Sequence, residues 1–296
     1  MLRRLFVLAS ALMTGVLLAG CGMLADSNAG EGKTLRIGYI TWDENVANSN
    51  LVKVILEDEF GYERVELQLA DLSLVFEGVA EGEVDAFLDV WMPNHADLLK
   101  RAGDRVEQLP PWYIGKTRYG IAVPDYMEDV RSIADLNDSG ATRIHGIEPG
   151  AVFHTQISEE VIPAYGLELR LVESSTPAML AELEKAYRAQ RPFVFLAWSP
   201  HWMNLEYDFH YLEDPLDAQG HFDEPSKLSS IVRAGLAEDD PVAYALISNM
   251  RLTEDQVNQL ELAIRKAGDP EEGARSWLGD NRDVVRPWID AAHAAG

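Results

Sequence analysis

Hydrophobic residues along this chain alternate between short apolar runs and longer stretches with helical spacing. The short runs predict strands at residues 34–40, 65–69, 86–90, 119–123, 143–147, 168–173 and 193–197. Between them, apolar side chains recur at helical spacing, which predicts helices at residues 46–60, 74–81, 97–102, 152–164 and 177–189. We expect the 152–164 helix to break near Pro163. Repeated strand–helix alternation is typical of α/β folds with parallel sheets.

The last third of the chain differs, because helical spacing continues there without intervening apolar runs. It predicts helices at residues 228–236, 242–250, 254–267, 271–278 and 283–294. Thr253 and Gln256 form a capping box before one of them. We therefore expect two α/β lobes, with residues 34–121 and 213–296 in the first and residues 122–212 in the second. The carboxyl ends of their strands line a common ligand cleft in such an arrangement.

Residues 1–20 predict an export signal. A basic start precedes an apolar segment, residues 5–18, that is too short to cross a membrane comfortably. Small residues and Cys21 follow in a sequence that resembles a bacterial lipobox, and an ordinary signal with a chance cysteine is the alternative. Residues 21–33 have the composition of a flexible tether. These features predict an exported protein, lipid-anchored to the cell membrane at Cys21, in the periplasm or on the cell surface.

Composition narrows the possible functions. The 296-residue chain carries 25 Lys and Arg against 49 Asp and Glu, a net charge of −24. This charge excludes nucleic acid as a partner, since phosphates require a basic surface. Cys21 is the only cysteine, so no internal disulfide is expected. An exported hydrolase is a competing hypothesis, but the chain has no Gly-x-Ser-x-Gly or His-Glu-x-x-His sequence. We predict no enzymatic activity, no cofactor and no metal.

Three tryptophans occupy the same kind of position, directly after a predicted strand: Trp42, Trp91 and Trp198. An indole face attracts a cation, and each desolvated contact contributes roughly 2 kcal/mol. A box of such rings suits a methylated ammonium, which is bulky and donates no hydrogen bonds. A single tryptophan in this position more often packs into a core. Three equivalent positions favour a binding site in the cleft.

Three segments that contain these tryptophans resemble motifs of one protein family. They are residues 41–50 (Thr-Trp-Asp-Glu-Asn-Val-Ala-Asn-Ser-Asn), 88–95 (Leu-Asp-Val-Trp-Met-Pro-Asn-His) and 197–203 (Ala-Trp-Ser-Pro-His-Trp-Met). The family is the glycine betaine/proline betaine substrate-binding proteins of ABC importers, of the OpuAC/ProX type, and the resemblance covers residues 34–290. It implies a two-lobed, type II periplasmic-binding-protein fold and a tryptophan cage for the ligand. It also implies a monomer that works with an ABC permease and its ATPase.

The resemblance also implies donors for the carboxylate of a betaine. In similar proteins two backbone amides before a helix serve this purpose, and they correspond to Val152 and Phe153. This chain has Ala151-Val152 where some members have a glycine-rich sequence, and an ordinary helix-start turn is the alternative. Some relatives use a histidine near the second tryptophan. His95 follows one residue sooner here and also fits a capping or surface role.

Three further residues near the predicted site each allow two interpretations. Asp43 either pairs with a cation directly, which favours choline, or caps the helix predicted at residue 46. Tyr119 either forms a fourth wall of the box or fills the strand between the lobes. His201, beside Trp198, is similarly ambiguous. We expect glycine betaine as ligand, with choline or dimethylsulfoniopropionate binding, or a sensory role, as alternatives.

Overall fold

The computed structural model describes residues 32–296, so the predicted signal, most of the tether and Cys21 lie outside the described residues. The strands are β1 (Thr34–Tyr39), β2 (Arg64–Leu69), β3 (Ala86–Met92), β4 (Val106–Gln108), β5 (Tyr113–Ile114), β6 (Arg118–Pro124), β7 (Arg143–His145), β8 (Arg170–Val172), β9 (Val194–Ser199), β10 (Phe209–Tyr211), β11 (Lys227–Arg233) and β12 (Leu252–Thr253). The helices are α1 (Asp43–Phe60), α2 (Leu72–Glu81), α3 (Ala96–Ala102), α4 (Val152–Gln156), α5 (Ile162–Tyr165), α6 (Thr176–Arg188), α7 (Met203–Glu206), α8 (Leu236–Asp239), α9 (Pro241–Ser248), α10 (Glu254–Ala267), α11 (Pro270–Asp280) and α12 (Arg282–Ala295).

Two five-stranded sheets organise the molecule. The first sheet has the order β2-β1-β3-β11-β4, with β1 parallel to β2 and β3 and with β11 antiparallel to its neighbours. The second sheet has the order β10-β6-β9-β7-β8, with a parallel group formed by β8, β7 and β9. This is the α/β, two-lobed arrangement of a type II periplasmic binding protein, as expected from the sequence.

The segments that connect the two sheets lie side by side. Thr117, just before β6, and Ser226, just before β11, exchange two hydrogen bonds. The second sheet includes all of β6 from Arg118, so its first residues fall on the first-lobe side of the expected boundary at residues 121–122. The lobe boundaries predicted from the sequence stay a prediction.

Local sequence signals set several element ends. Helix α1 ends at Phe60 because Gly61 adopts a left-handed conformation (φ 70°) that other residues rarely adopt. The capping box at Thr253 and Gln256 is present, with both reciprocal hydrogen bonds made at the start of α10. None of the helices in residues 32–296 is long and apolar enough to cross a membrane.

Two predictions about secondary structure were wrong. The segment predicted as a helix at residues 228–236 forms strand β11, which pairs with both β3 and β4. Leu228 to Val232 are all buried, so this inner strand shows no alternation that distinguishes it from a buried helix. The helix over residues 152–165 does not break at Pro163. A π-helical turn, Ile157–Val161, widens the helix directly before the turn that contains Pro163.

Candidate ligand-binding site

One pocket lies between the two sheets and is lined mainly by aromatic rings. It measures about 370 Å³, including the part open to solvent. Its lining residues are Trp42, Glu44, Trp91, Asn94, His95, Tyr119, Ile147, Ala151, Val152 and Trp198. The structure therefore brings together the three tryptophans, His95, Tyr119 and Val152 from the sequence-predicted site.

Each tryptophan reaches the pocket from the end of a strand. Trp42 follows β1 and is the N-cap residue of α1. Trp91 and Trp198 are the next-to-last residues of β3 and β9. The three side chains are between 3% and 6% exposed, and they share one pocket rather than separate cores. Their role in ligand binding stays a prediction, but the required convergence of the rings is present.

Tyr119 joins the walls contributed by the two sheets. It pairs directly with Trp198 across β6 and β9, so both side chains lie on the same sheet face. Its ring centroid is 6.2 Å from that of Trp91 and 6.5 Å from that of Trp198. Phe153 lies behind it at 4.8 Å, fully buried, and stacks on Phe222 at 4.7 Å. The Phe153 side chain therefore supports Tyr119, and only its backbone amide remains a candidate ligand contact.

His95 is a buried, neutral pocket residue. Its Nδ1 accepts a hydrogen bond from the Trp91 backbone N–H at 3.2 Å, so the ring proton of the neutral form lies on Nε2. Burial lowers the pKa of His95 to about 3. His95 is the N-cap residue of α3, but its side chain makes no capping hydrogen bond. The surface or capping interpretation is therefore wrong, and the side chain faces the pocket and Trp42, 6.0 Å away.

Asp43 does not line the pocket, which corrects the prediction that it contacts a ligand cation. Its carboxylate accepts a hydrogen bond from Trp202 Nε1 at 2.7 Å and lies 3.1 Å from His201 Nε2. The capping alternative is also wrong, because α1 begins at Asp43 itself. Successive helical residues point about 100° apart, so Glu44 faces the pocket instead.

Carboxyl groups are concentrated beneath the pocket. Glu44 accepts a hydrogen bond from Trp198 Nε1 at 3.0 Å, and Asp89 accepts one from Trp91 Nε1 at 2.9 Å. Glu261 accepts one from the Trp202 backbone N–H at 2.7 Å. Burial, reinforced by the neighbouring carboxyls, raises the pKa of Glu44 well above its usual range. Burial likewise raises the pKa of Asp89.

The loop before α4 forms the opposite wall and is held by two side chains. Glu148 accepts hydrogen bonds from Thr176, one from its backbone N–H and one from its hydroxyl, both at 2.8 Å, and another from the Thr41 hydroxyl across the cleft. His154 Nε2 accepts from the Ile147 N–H at 3.2 Å. Val152 and Phe153 are the first two residues of α4, where backbone amides have no partner within the helix.

The pocket is suited to a small organic cation rather than to a metal. Within residues 32–296, no group of three or more His, Cys, Asp or Glu side chains is arranged to hold a metal ion. The aromatic faces attract a cation, and the adjacent His95 N–H and helix-start amides are donors for an anion.

Comparison with known proteins agrees with this geometry. Residues 33–280 match the family described as OpuAC, the substrate-binding domain of ABC-type glycine betaine transport systems. The chain belongs to the OpuAC family. Members of the OpuAC family are solute-binding components of ABC transporters rather than enzymes, and substrate-binding proteins of ABC importers are extracytoplasmic.

This chain is similar to binding proteins for glycine betaine and for choline. The chain is 35% identical over 159 residues to a glycine betaine/carnitine transport binding protein of Listeria monocytogenes, a match that spans 53% of this chain and 52% of that relative. It superposes with a TM-score of 0.77 on lactococcal OpuAC in its closed-liganded conformation with glycine betaine, at 32% identity, covering 87% of this chain and 99% of that one. A choline-binding protein in complex with choline has the same TM-score at 25% identity, covering 88% and 96%.

Several pocket residues were missed by sequence reasoning. Glu44 and Asn94 each lie within three residues of a tryptophan that was selected, and Ile147 and Ala151 flank the predicted amide loop. The sequence carries a signal for Glu44, since two adjacent acids at a helix start cannot both face one pocket. Asp89 and Glu261 carried no signal, because their approach to Glu44 depends on how α1 packs against β3 and against α10.

Proposed function

We propose that this OpuAC family chain captures a small quaternary ammonium compatible solute, glycine betaine first, and delivers it to the permease and ATPase of an ABC importer. The observation that carries this proposal is the convergence of Trp42, Trp91 and Trp198 on one pocket, with Tyr119 between two of them. A trimethylammonium group makes no hydrogen bonds, so rings that exclude water retain it better than polar groups do. Each desolvated cation–π contact contributes about 2 kcal/mol.

The same pocket offers hydrogen-bond donors for the carboxylate of glycine betaine. His95 Nε2–H is a neutral donor whose orientation is fixed by the bond from the Trp91 amide to Nδ1. The amides of Val152 and Phe153 supply further donors at the start of α4. Hydrogen bonds to a charged group contribute about 1.5–3 kcal/mol each.

Choline is the second candidate ligand, and the acidic wall favours it. Glu44 lines the pocket, and its carboxyl suits a ligand that carries a positive charge and no carboxylate. The structural likeness to a choline-binding protein supports the same alternative. Dimethylsulfoniopropionate also satisfies an aromatic cage, because its sulfonium is a methylated cation. Delivery to a sensory receptor instead of a permease stays an alternative with the same binding step.

The location of the protein belongs to the same proposal. Export through the signal at residues 1–20 and a lipid anchor at Cys21 hold the domain at the outer face of a membrane, with residues 21–33 as the tether. Family membership supports an extracytoplasmic site of action. We expect a monomer whose two lobes, with boundaries near residues 121 and 213, close over the ligand.

Calorimetric titration of the purified domain tests this function. Glycine betaine, proline betaine, choline and dimethylsulfoniopropionate are titrated separately, and at least one is expected to bind with micromolar affinity. Trp198→Ala is expected to weaken that ligand about 30-fold or more, which corresponds to about 2 kcal/mol. Trp277→Phe is the matched control, because Trp277 is buried in α11 and does not line the pocket. Absence of binding by all four compounds contradicts the proposal.

His95→Ala distinguishes the two leading ligands. Loss of a donor to a carboxylate is expected to weaken glycine betaine about tenfold or more. Choline has no carboxylate, so its affinity is expected to change much less. Equal losses for both compounds contradict the assignment of His95 to the anion end of the pocket.

A further inference from the structure

The loop that follows β9 extends from the second sheet to two helices of the first lobe. Residues 200–206 stay attached to β9, because the side-chain amide of Asn204 donates a hydrogen bond to the Trp198 carbonyl at 2.7 Å. Helix α1 packs on β1 and β3 of the first sheet, and α10 packs on α1. Contacts between this loop and either helix therefore cross the cleft between the two lobes.

Trp202 makes the main contacts across the cleft. Its indole N–H donates to the Asp43 carboxylate on α1 at 2.7 Å, and its backbone N–H donates to the Glu261 carboxylate on α10, also at 2.7 Å. The guanidinium of Arg265, one turn further along α10, lies 4.0 Å from the centre of the indole ring. A cation over a ring face at this distance is attracted to it. Three groups of the first lobe thus contact one tryptophan of the second.

His201 adds a second link to Asp43. His201 Nδ1 accepts a hydrogen bond from the Met203 backbone N–H at 2.9 Å, so the proton of the neutral ring lies on Nε2. This nitrogen is 3.1 Å from Asp43 Oδ2, while Asp43 Oδ1 accepts from the Trp202 indole. The single carboxylate of Asp43 therefore faces two N–H groups of the opposite lobe.

None of these five residues lines the aromatic pocket. Four of them line a separate groove, namely Asp43, Trp202, Glu261 and Arg265. The fifth, His201, is fully buried. Their contacts therefore act on the relative position of the lobes and not on a ligand. Because each contact joins the two lobes, all of them are lost when the lobes separate, whichever compound occupies the pocket.

We propose that these five residues form an interlobe latch, which stabilises the closed arrangement of the lobes and slows the release of the ligand. The proposal rests on the function proposed above. A ligand in the tryptophan cage leaves only after the lobes open, and opening breaks the latch contacts. Apparent affinity falls with the population of the binding-competent arrangement, so a weaker latch means weaker binding. Asp43 and Trp202 are thus positioning residues, because they act through lobe closure and touch no ligand.

The latch predicts kinetics that differ from those of a pocket residue. The ligand enters while the lobes are apart, so the association rate constant of a latch variant is expected to stay within about twofold of the wild type. Dissociation requires opening, so the dissociation rate constant is expected to rise. The rise is expected to be equal for glycine betaine and for choline, because the latch touches neither of them. Loss of a pocket contact changes the ratio of the two affinities instead, as expected for His95→Ala.

Stopped-flow tryptophan fluorescence with glycine betaine and with choline measures both rate constants. Trp202→Phe removes the indole N–H but keeps an aromatic ring beside Arg265, and Asp43→Ala removes the acceptor. Each variant is expected to raise the dissociation rate constant about tenfold, because a hydrogen bond to a charged group is lost. The double variant is expected to stay within about threefold of Asp43→Ala, since both substitutions break the same bond.

Asp58→Ala is the matched control. Asp58 also lies on α1, but its carboxylate accepts hydrogen bonds from Arg275 on α11, within the first lobe, at 2.9 and 3.3 Å. This variant is expected to leave both rate constants unchanged, because the pair that it breaks does not cross the cleft. Urea unfolding of each ligand-free variant establishes that it is folded.

The outcomes separate the latch from the proposed function. If the wild type binds a ligand and folded Trp202→Phe and Asp43→Ala release it no faster, the latch is overturned and the proposed function remains. A loss confined to one of two ligands that the wild type binds also overturns the latch, because the substituted residue then acts on the pocket. Absence of binding of both compounds to the wild type overturns the proposed function, and the latch with it.

Discussion

Asp85, directly before β3, and Asp89, within β3, lie in opposite electrostatic environments. Asp85, just before β3, is 4% exposed and accepts hydrogen bonds from Arg36 at 3.2 and 3.0 Å and from Arg233 at 2.8 Å. Burial alone raises its pKa, but the two guanidinium groups outweigh burial and lower it. Asp89, four residues later, is fully buried beside Glu44, and burial raises its pKa.

The difference shows that buried carboxyl groups are balanced in different ways at the two ends of the first sheet. At the end near Asp85 the protein supplies its own cations, and the charges are balanced within the fold. At the end near Asp89 the described residues supply none, and aromatic rings lie above the acids. We expect a cationic ligand to complete the second arrangement. The contrast therefore supports a cationic ligand independently of the resemblance of the motifs.

The largest expected effect is on the free energy of unfolding, and it differs between Asp85 and Asp89. Asp85→Asn leaves Arg36 without its counter-charge and Arg233 with Asp239 as its remaining carboxylate partner, so the free energy of unfolding is expected to fall by about 2–3 kcal/mol. Asp89→Asn replaces a buried carboxyl, whose pKa burial raises, by a neutral amide of the same shape, and a change within about 1 kcal/mol is expected. Urea unfolding at pH 7 measures both. Equal losses for the two variants contradict the comparison.

The next effect is the pH dependence of stability in the ligand-free protein. Because the pKa values of Glu44 and Asp89 are raised on folding, the native state binds more protons than the unfolded state near neutrality. Stability is therefore expected to fall as pH rises, by up to about 1.4 kcal/mol per pH unit for each acid. Asp85 has a lowered pKa, so its contribution to stability increases with pH, and it changes only in the acid range.

Thermal or urea unfolding between pH 5 and 8 checks this sign. The double variant Glu44→Gln/Asp89→Asn is expected to have a flatter pH profile than the wild type. Asp85→Asn, as the matched control, is expected to keep the wild-type slope over this range. A double variant with an unchanged slope contradicts the raised pKa values of Glu44 and Asp89.

The smallest expected effect concerns the indole N–H groups. Trp198→Phe and Trp91→Phe keep an aromatic face but remove the hydrogen bond to Glu44 or Asp89. Ligand affinity is expected to fall about 3–10-fold in each, which corresponds to a lost hydrogen bond of about 0.5–1.5 kcal/mol. Trp277→Phe again provides the control. A loss as large as that of Trp198→Ala contradicts this prediction, because the hydrogen bond would then also be needed to hold the ring in position.

The sequence was sufficient to predict the α/β class, most strands and helices, and the three tryptophans. Those features depend on local periodicity and on where a strand ends, and both are visible along the chain. Strand β11 escaped because a strand buried on both faces lacks alternation. The capping box at Thr253 was correct because its two hydrogen bonds are local.

The polar part of the pocket was predicted less well. Asp43 was selected instead of Glu44 because the start of α1 was expected three residues too late, and a helix changes direction by about 100° per residue. His95 lines the pocket, and its role in ligand binding stays a prediction; its neutral state follows from burial and from the Trp91 amide. Glu44 and Asp89 are 45 sequence positions apart, and only the packing of α1 against β3 brings the charge of one to bear on the other.

A crystal structure of the protein with its ligand tests the central claim most directly. Crystals grown with glycine betaine are expected to show the trimethylammonium within about 6 Å of the ring centroids of Trp42, Trp91 and Trp198. The carboxylate is expected within hydrogen-bonding distance of His95 Nε2. Ligand density elsewhere, for example in the groove beside Trp202 and Arg265, or tryptophans that remain clear of the ligand, contradicts the account.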